Sequence, residues 1–150
     1  MKLVVLGCGR VGSLLATLMS QQGHDVAIID MNKDSFRRLG QGFHGRRLLG
    51  KGIDEEVLRS AGLPEADAFV AVTNGDNTNL MASQIAKERF SVPKVITRLA
   101  DPIRAQAYRG MGLNTFCSSL FGAGLLRAVL LEEQPLEALK AYSDLLNELS

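Results

Sequence analysis

The sequence predicts an α/β domain built on a doubly wound parallel sheet, six strands in order 3-2-1-4-5-6, with C-terminal helices. Three observations carry this. Apolar runs of four to six residues alternate with helical patterns almost to the end of the chain, as repeated strand–helix–strand units require. The runs LVVL, VAII and AFVAV are continuously apolar rather than alternating, as strands covered by helices on both faces must be. A glycine-rich turn, GCGRVG, directly follows the first run, and right-handed crossovers from that strand favour this order.

The strands are read at residues 2–6, 25–30, 45–49, 68–72, 94–98 and 114–117, and the helices between them at 11–22, 33–40, 55–61, 77–90 and 102–109. The first strand ends in the glycine turn and the second in Asp30. Asp54, Glu55 and Glu56 place negative charge at a helix start, where the helix dipole favours it. Beyond the sixth strand, SSLFGAGLLRAVLLEEQ is apolar nearly all round, with Leu120, Phe121, Leu125, Leu126, Val129, Leu130 and Leu131 pointing in several directions. Such a helix needs cover on two sides. A partner subunit is the natural second cover, so a homodimer is expected. The alternative cover is the last segment, PLEALKAYSDLLNELS, which opens on Pro135 and lines Leu136, Leu139, Leu146 and Leu149 along one stripe.

The 150 residues fit one domain of ordinary soluble composition, 46% hydrophobic and 22% charged. Seventeen basic against sixteen acidic side chains leave no field that argues for nucleic acid. The most basic stretch, FRRLGQGFHGRR, reads as a solvated surface. The start MKLVVLGCG is too short in apolar residues for a secretory signal, and runs such as LLRAVLL fall short of the ~20 residues that span a bilayer. A cytoplasmic protein without direct membrane insertion is expected. Cys8 and Cys117 end strands three positions apart, roughly 14 Å at the usual strand spacing, and are expected as free thiols.

Gly7, Gly9 and Gly12 match GxGxxG, each with its own task. Gly7 permits the tight turn, Gly9 lets backbone approach a pyrophosphate, and Gly12 lets the helix pack closely on the strand. The helix beginning near Val11 turns its unpaired amides toward the phosphates. Asp30, eighteen residues after Gly12, sits where an acid accepts hydrogen bonds from an adenosine ribose and repels a 2′-phosphate. The ligand expected is therefore NAD or an adenine mononucleotide, not NADP. A plainer reading makes Asp30 a helix N-cap or turn residue ahead of MNKDSF. Arg10, inside the loop, reaches phosphate oxygens or turns to solvent, and both readings stand.

Little in the chain suits catalysis. His24 and His44 precede the second and third strands, at the sheet edge away from the ligand crevice. No Cys/His metal spacing, serine elbow or Walker lysine appears. An oxidoreductase fragment supplying NAD(H) to chemistry with another chain is the competing reading, and Thr73, Asp76 or Asn79 would have to supply its acid or base.

The blocks VLGCGRVG, HDVAIID, DEEVLRSAGLPEADAFVAVTNGDNTNLMASQIAKERF and PKVITRLADP resemble the nucleotide-binding domain of RCK or KTN type, also called TrkA-N, of potassium channel and transporter regulators. The resemblance covers residue 2 to about 115. It implies a Rossmann-like, non-enzymatic regulatory subunit that senses an adenine nucleotide, NAD(H), ATP, ADP or AMP, and gates a membrane potassium transporter or channel. It also implies a dimer or higher ring formed through the helix after the sixth strand.

Residue by residue, the resemblance places Gly7, Gly9 and Gly12 in the loop, Asp30 on the ribose, and Arg10 on terminal phosphates near the dimer interface. It sets Thr73 and Asn74 beside ribose and phosphate, and Arg98 as a cation ending the fifth strand. Val11, Met31 and Lys51 complete the expected contact set. From the residues alone, Thr73 and Asn74 begin a turn at TNGD and Arg98 pairs with Asp101. Two departures stand out: GKGID places Lys51 where relatives commonly carry an acid, and the sequence ends at LLNELS where many continue into a second ligand-binding domain. The expected domains are therefore 1–118 for nucleotide binding and 119–150 for the C-terminal dimerisation helices, with sensing done by this domain or with a separately encoded partner.

Overall fold

The computed structural model describes residues 1–133; the helix expected from Pro135 lies outside the described residues. Six strands form one sheet in the order β3-β2-β1-β4-β5-β6, where β1 is Lys2–Leu6, β2 Asp25–Asp30, β3 Arg46–Leu49, β4 Ala68–Ala71, β5 Lys94–Leu99 and β6 Asn114–Cys117. From β3 across to β5 the neighbours pair in parallel, with Leu6 opposite Ile29 and Ala71, and Asp30 opposite Leu49. The chain divides into two compact units, residues 1–97 and a second from Arg98 on.

The unbroken apolar runs follow from burial on both faces. Alternate residues of β1 enter different cores: Val4 and Leu6 pack with Ala27, Ile29, Phe69 and Ala71, while Leu3 and Val5 pack with Val26, Ile28 and Val70. Helix α1, Arg10–Gln21, buries the small residues Gly12, Ser13, Ala16 and Ser20. Its larger apolar side chains divide: Leu15 and Met19 touch the core, and Val11, Leu14 and Leu18 face solvent.

Two expected helices are corrected. Residues 33–40 form not an α-helix but a 3₁₀ helix, Lys33–Arg38, opened by Asn32, whose side chain accepts from Asp34 N. The apolar residues here, Phe36 and Leu39, are three apart, and a three-residue turn sets both toward the core. The expected helix 77–90 is α3, Asp76–Gln84, continuing as a π-helix, Ile85–Arg89. FRRLGQGFHGRR is not all surface: Leu39 and Phe43 are buried, Arg47 lies over the Phe43 ring at 5.0 Å, and the Arg46 guanidinium donates to the carbonyls of Ser60 and Ala61 at the end of α2, Glu55–Ser60.

In the second unit, α4 spans Pro102–Gly110 and α5 spans Ser118–Leu130. Helix α5 buries Gly124 and Ala128, and leaves Leu125, Leu126, Val129 and Leu130 exposed, Leu130 to 81%. No helix among the described residues is long and apolar enough to cross a membrane. Cys8 and Cys117 are buried free thiols.

Candidate nucleotide site

The site is built at the carboxyl ends of β1, β2 and β4. Gly7 N donates to Ile29 O at 2.8 Å as the chain leaves β1. Gly7 has φ +102°, and a Cβ there would sit 2.8 Å from Thr73 N, so only glycine lets this turn lie against the loop after β4. A Cβ on Gly12 would overlap the Gly7 carbonyl oxygen. Gly9 differs: it is extended, φ −77°, at the N-cap of α1, with nothing within 4 Å of where a Cβ would be. Because Gly9 has no side chain, α1 has no side-chain cap, and its first turn holds no acid. Its amides and positive dipole end therefore suit an anion. Arg10 and Val11 flank this opening, both exposed.

Asp30 is the turn residue of the plain reading and not the N-cap, which is Asn32, and it leaves room for the other reading. Its Oδ2 accepts from Cys8 N at 2.7 Å and its Oδ1 from Asn32 N at 2.8 Å, so one carboxylate clamps the glycine loop to the turn after β2. A carboxylate has about four acceptor positions, which leaves capacity for ribose hydroxyls. Met31 follows, 71% exposed. Gly50 N donates to the backbone carbonyl of Asp30 at 3.0 Å, which sets the loop after β3 against the end of β2, and Lys51, exposed, is the next residue along it. A Cβ on Gly52 would overlap the Leu6 side chain, so that loop lies tight over the end of β1.

Thr73 and Asn74 follow β4. Thr73 is half-buried and hydrogen-bonded to Asn79, a fully buried residue of α3. Asn79 was expected only as a weak acid–base candidate; its amide has no proton to exchange in that role. The one sign of its role in the sequence is a polar residue at an inward helical position, NTNLMAS. Arg98 opens the second unit, where its Nε donates to Ser118 Oγ at 3.1 Å.

Cys8, within the loop, is fully buried, and its Sγ donates to Ser35 O at 3.3 Å. Burial, with the Asp30 charge adding to it, pushes its thiol from 9.0 up to about 11. The folded chain thus holds this proton more tightly than the unfolded chain does. That contribution is complete below about pH 9 and is lost as pH rises toward 11, at most about 2–3 kcal/mol. Urea midpoints are expected to fall more steeply over this range in the wild type than in Cys8→Ala; parallel curves would refute it. At pH 8 alkylation of Cys8 is expected to require unfolding.

The histidines lie as expected at the amino edge, where His24 Nδ1 is 3.1 Å from the Met1 amine. A cavity of about 240 Å³ opens there too, lined by Lys2, Asp25, Arg46, Gly62 and Glu65 among others. It is at the opposite strand ends from the glycine loop, so loop geometry and not cavity volume marks the candidate site.

The family model of the TrkA-N domain matches residues 3–119. The chain belongs to the TrkA-N family. It is 49% identical over 131 residues to the Trk system potassium uptake protein TrkA of Streptomyces coelicolor, an alignment covering 87% of this chain and 59% of that one. The chain thus spans about three fifths of that relative's length. Among solved structures it is similar to the Kef CTD of Shewanella denitrificans in its AMP-bound form, with TM-score 0.75, 22% identity, and coverage of 99% and 98% of the two chains. It is also similar to the GsuK channel bound to NAD, with TM-score 0.67, 16% identity, and coverage of 83% and 22%. At these identities the structures establish the Rossmann-like fold alone.

Proposed function

We propose that this TrkA-N domain is the adenine-nucleotide-sensing part of a potassium transport regulator. The observation that carries it is the uncapped start of α1, beside a carboxylate already oriented by the glycine loop. AMP and NAD in its structural neighbours, and potassium uptake in its 49%-identical relative, support the reading. The residues fit such a ligand: the α1 amides and Arg10 take phosphates, Asp30 takes the ribose, and Met31 and Lys51 border the adenosine end.

The domain is non-enzymatic and cytoplasmic, held at the membrane through a transporter or channel subunit. A second copy covers the exposed apolar residues of α5, and Arg98 with Ser118 stands at the start of that helix. Nucleotide acts by population shift, one nucleotide fitting one dimer arrangement better than another. Arg10 supplies the difference by meeting terminal phosphates. Calorimetric titration is expected to show discrimination between ATP and ADP that shrinks in Arg10→Ala; equal wild-type affinities would sink this mechanism.

A further inference from the structure

We infer that Asn79 is a positioning residue of the nucleotide site: its buried amide takes up the peptide and the hydroxyl of Thr73, which leaves Asn74 as the donor that the β4 loop offers to a bound adenine nucleotide. This rests on the nucleotide reading and assigns the loop's contact within it.

Asn79 is 0% exposed and stands in the first turn of α3, its own N–H bonded to Gly75 O at 3.0 Å. Its Oδ1 accepts from Thr73 N at 3.0 Å and from Thr73 Oγ1 at 2.7 Å, and its Nδ2 donates to Thr73 O at 3.0 Å. One side chain therefore meets both the N–H and the C=O of Thr73. The Thr73 hydroxyl has a single proton, and the 2.7 Å contact to Asn79 claims it over the 3.3 Å contact to Gly75 O. Gly75 N–H fills a lone pair of the same hydroxyl at 3.2 Å. Thr73 thus has no donor left for a ligand.

From the other side the Gly7 turn approaches the same peptide, leaving no room for a Cβ. Thr73 is held between the phosphate turn and α3, and its position depends on both. Asn74 is the next residue; it is exposed, and neither its N–H nor its side chain makes a hydrogen bond among the described residues. Leucine would fill the volume of Asn79 but strand two buried backbone groups, while aspartate would keep the acceptor and lose the donor to Thr73 O.

That difference supplies the test. Affinities for AMP and for NAD are measured calorimetrically from pH 8 to pH 5 for the wild type and Asn79→Asp, each variant value divided by the wild-type value at the same pH so that the ligand's own titration cancels. At pH 8 the variant is expected to bind at least about tenfold more weakly, as the loss of one charge-sensitive buried hydrogen bond implies. Toward pH 5 the ratio returns to near one, because the introduced carboxyl, once protonated, again donates to Thr73 O. A side chain serving the fold alone would lower the melting temperature without this pH-dependent recovery of binding. Equal affinities at pH 8, or a loss unchanged at pH 5 in a cooperatively folded variant, would overturn the proposal.

Amide exchange in the wild type tests it without a variant. The Thr73 amide is expected to be protected with and without AMP, and the Asn74 amide only with AMP; protection of Thr73 that appears only on binding would overturn the proposal. A wild type that binds neither AMP nor NAD overturns the nucleotide reading and this proposal together, whereas a wild type that binds beside an Asn79→Asp that binds equally overturns this proposal alone.

Discussion

Gly12→Ala is expected to destabilise the chain by about 3 kcal/mol or more, a large part of the stability of a domain this size. The added methyl would overlap the Gly7 carbonyl oxygen and stand 3.1 Å from Val72 Cγ2. Neither neighbour can yield. Gly7 is hydrogen-bonded to Ile29 O and lies against Thr73, and Val72 N donates to Leu6 O at 2.8 Å. Moving α1 outward would uncover Ala16, which is fully buried. Gly9→Ala, outside this contact, meets open space and is expected to change stability by less than about 1 kcal/mol while weakening nucleotide binding, since its methyl would enter the ligand's approach. Urea denaturation of both variants separates the two tasks; coincident curves for Gly12→Ala and wild type would refute the packing argument.

The fold was legible because its central strands obey a strong rule. Residues buried on both faces must be continuously apolar, and β1, β2 and β4 are, so their positions and the crossover pattern could be read directly. Legibility failed where burial is partial or backbone periodicity departs from 3.6. Strand β3 is largely exposed and carries Arg46 and Arg47, so its start was misplaced by one residue. The segment Lys33–Arg38 has inward residues at a spacing that serves a 3₁₀ turn as well as an α-helix, and length alone could not separate them. Phe43 looked like part of a polar stretch because the group over its ring, the Arg47 guanidinium, reads in sequence only as charge.

In the site, the three glycines were legible as distinct roles because each constraint is local: a positive φ, an open approach and a close contact. Asp30 was legible as an acid at the end of β2, but not as a clamp on Cys8 N, which depends on how the first loop folds back across 22 positions. Asn79 stayed hidden for the same reason. Two of its three bonds are to backbone groups of Thr73, and no residue type announces a backbone partner. Lys51 was legible as a departure; its placement next to the end of β2 follows from the Gly50 N to Asp30 O bond and from Gly52 against Leu6.

Asp30→Ala is expected to produce the largest loss of nucleotide affinity, about a hundredfold, together with a stability loss of about 2 kcal/mol. The two effects have separate origins. The stability loss comes mainly from Cys8, a fully buried residue whose N–H would lose its 2.7 Å acceptor; Asn32 is exposed and its N–H can bond to solvent instead. The affinity loss comes from the ribose hydroxyls, which lose an anionic acceptor held in place before binding. Asp30→Asn divides the effects differently. Its amide keeps one acceptor for two converging N–H groups and turns a donor toward the other, so it removes one clamp bond and adds a donor–donor contact. It should therefore approach the alanine variant in stability while removing the charge that repels a 2′-phosphate. Titration with AMP and with adenosine 2′,5′-bisphosphate checks this: the wild type is expected to prefer AMP, and both variants to narrow that preference. A wild type indifferent to the 2′-phosphate would show that Lys51, at the same edge, offsets the carboxylate, and would refute the assignment of Asp30 as the group that selects the ribose.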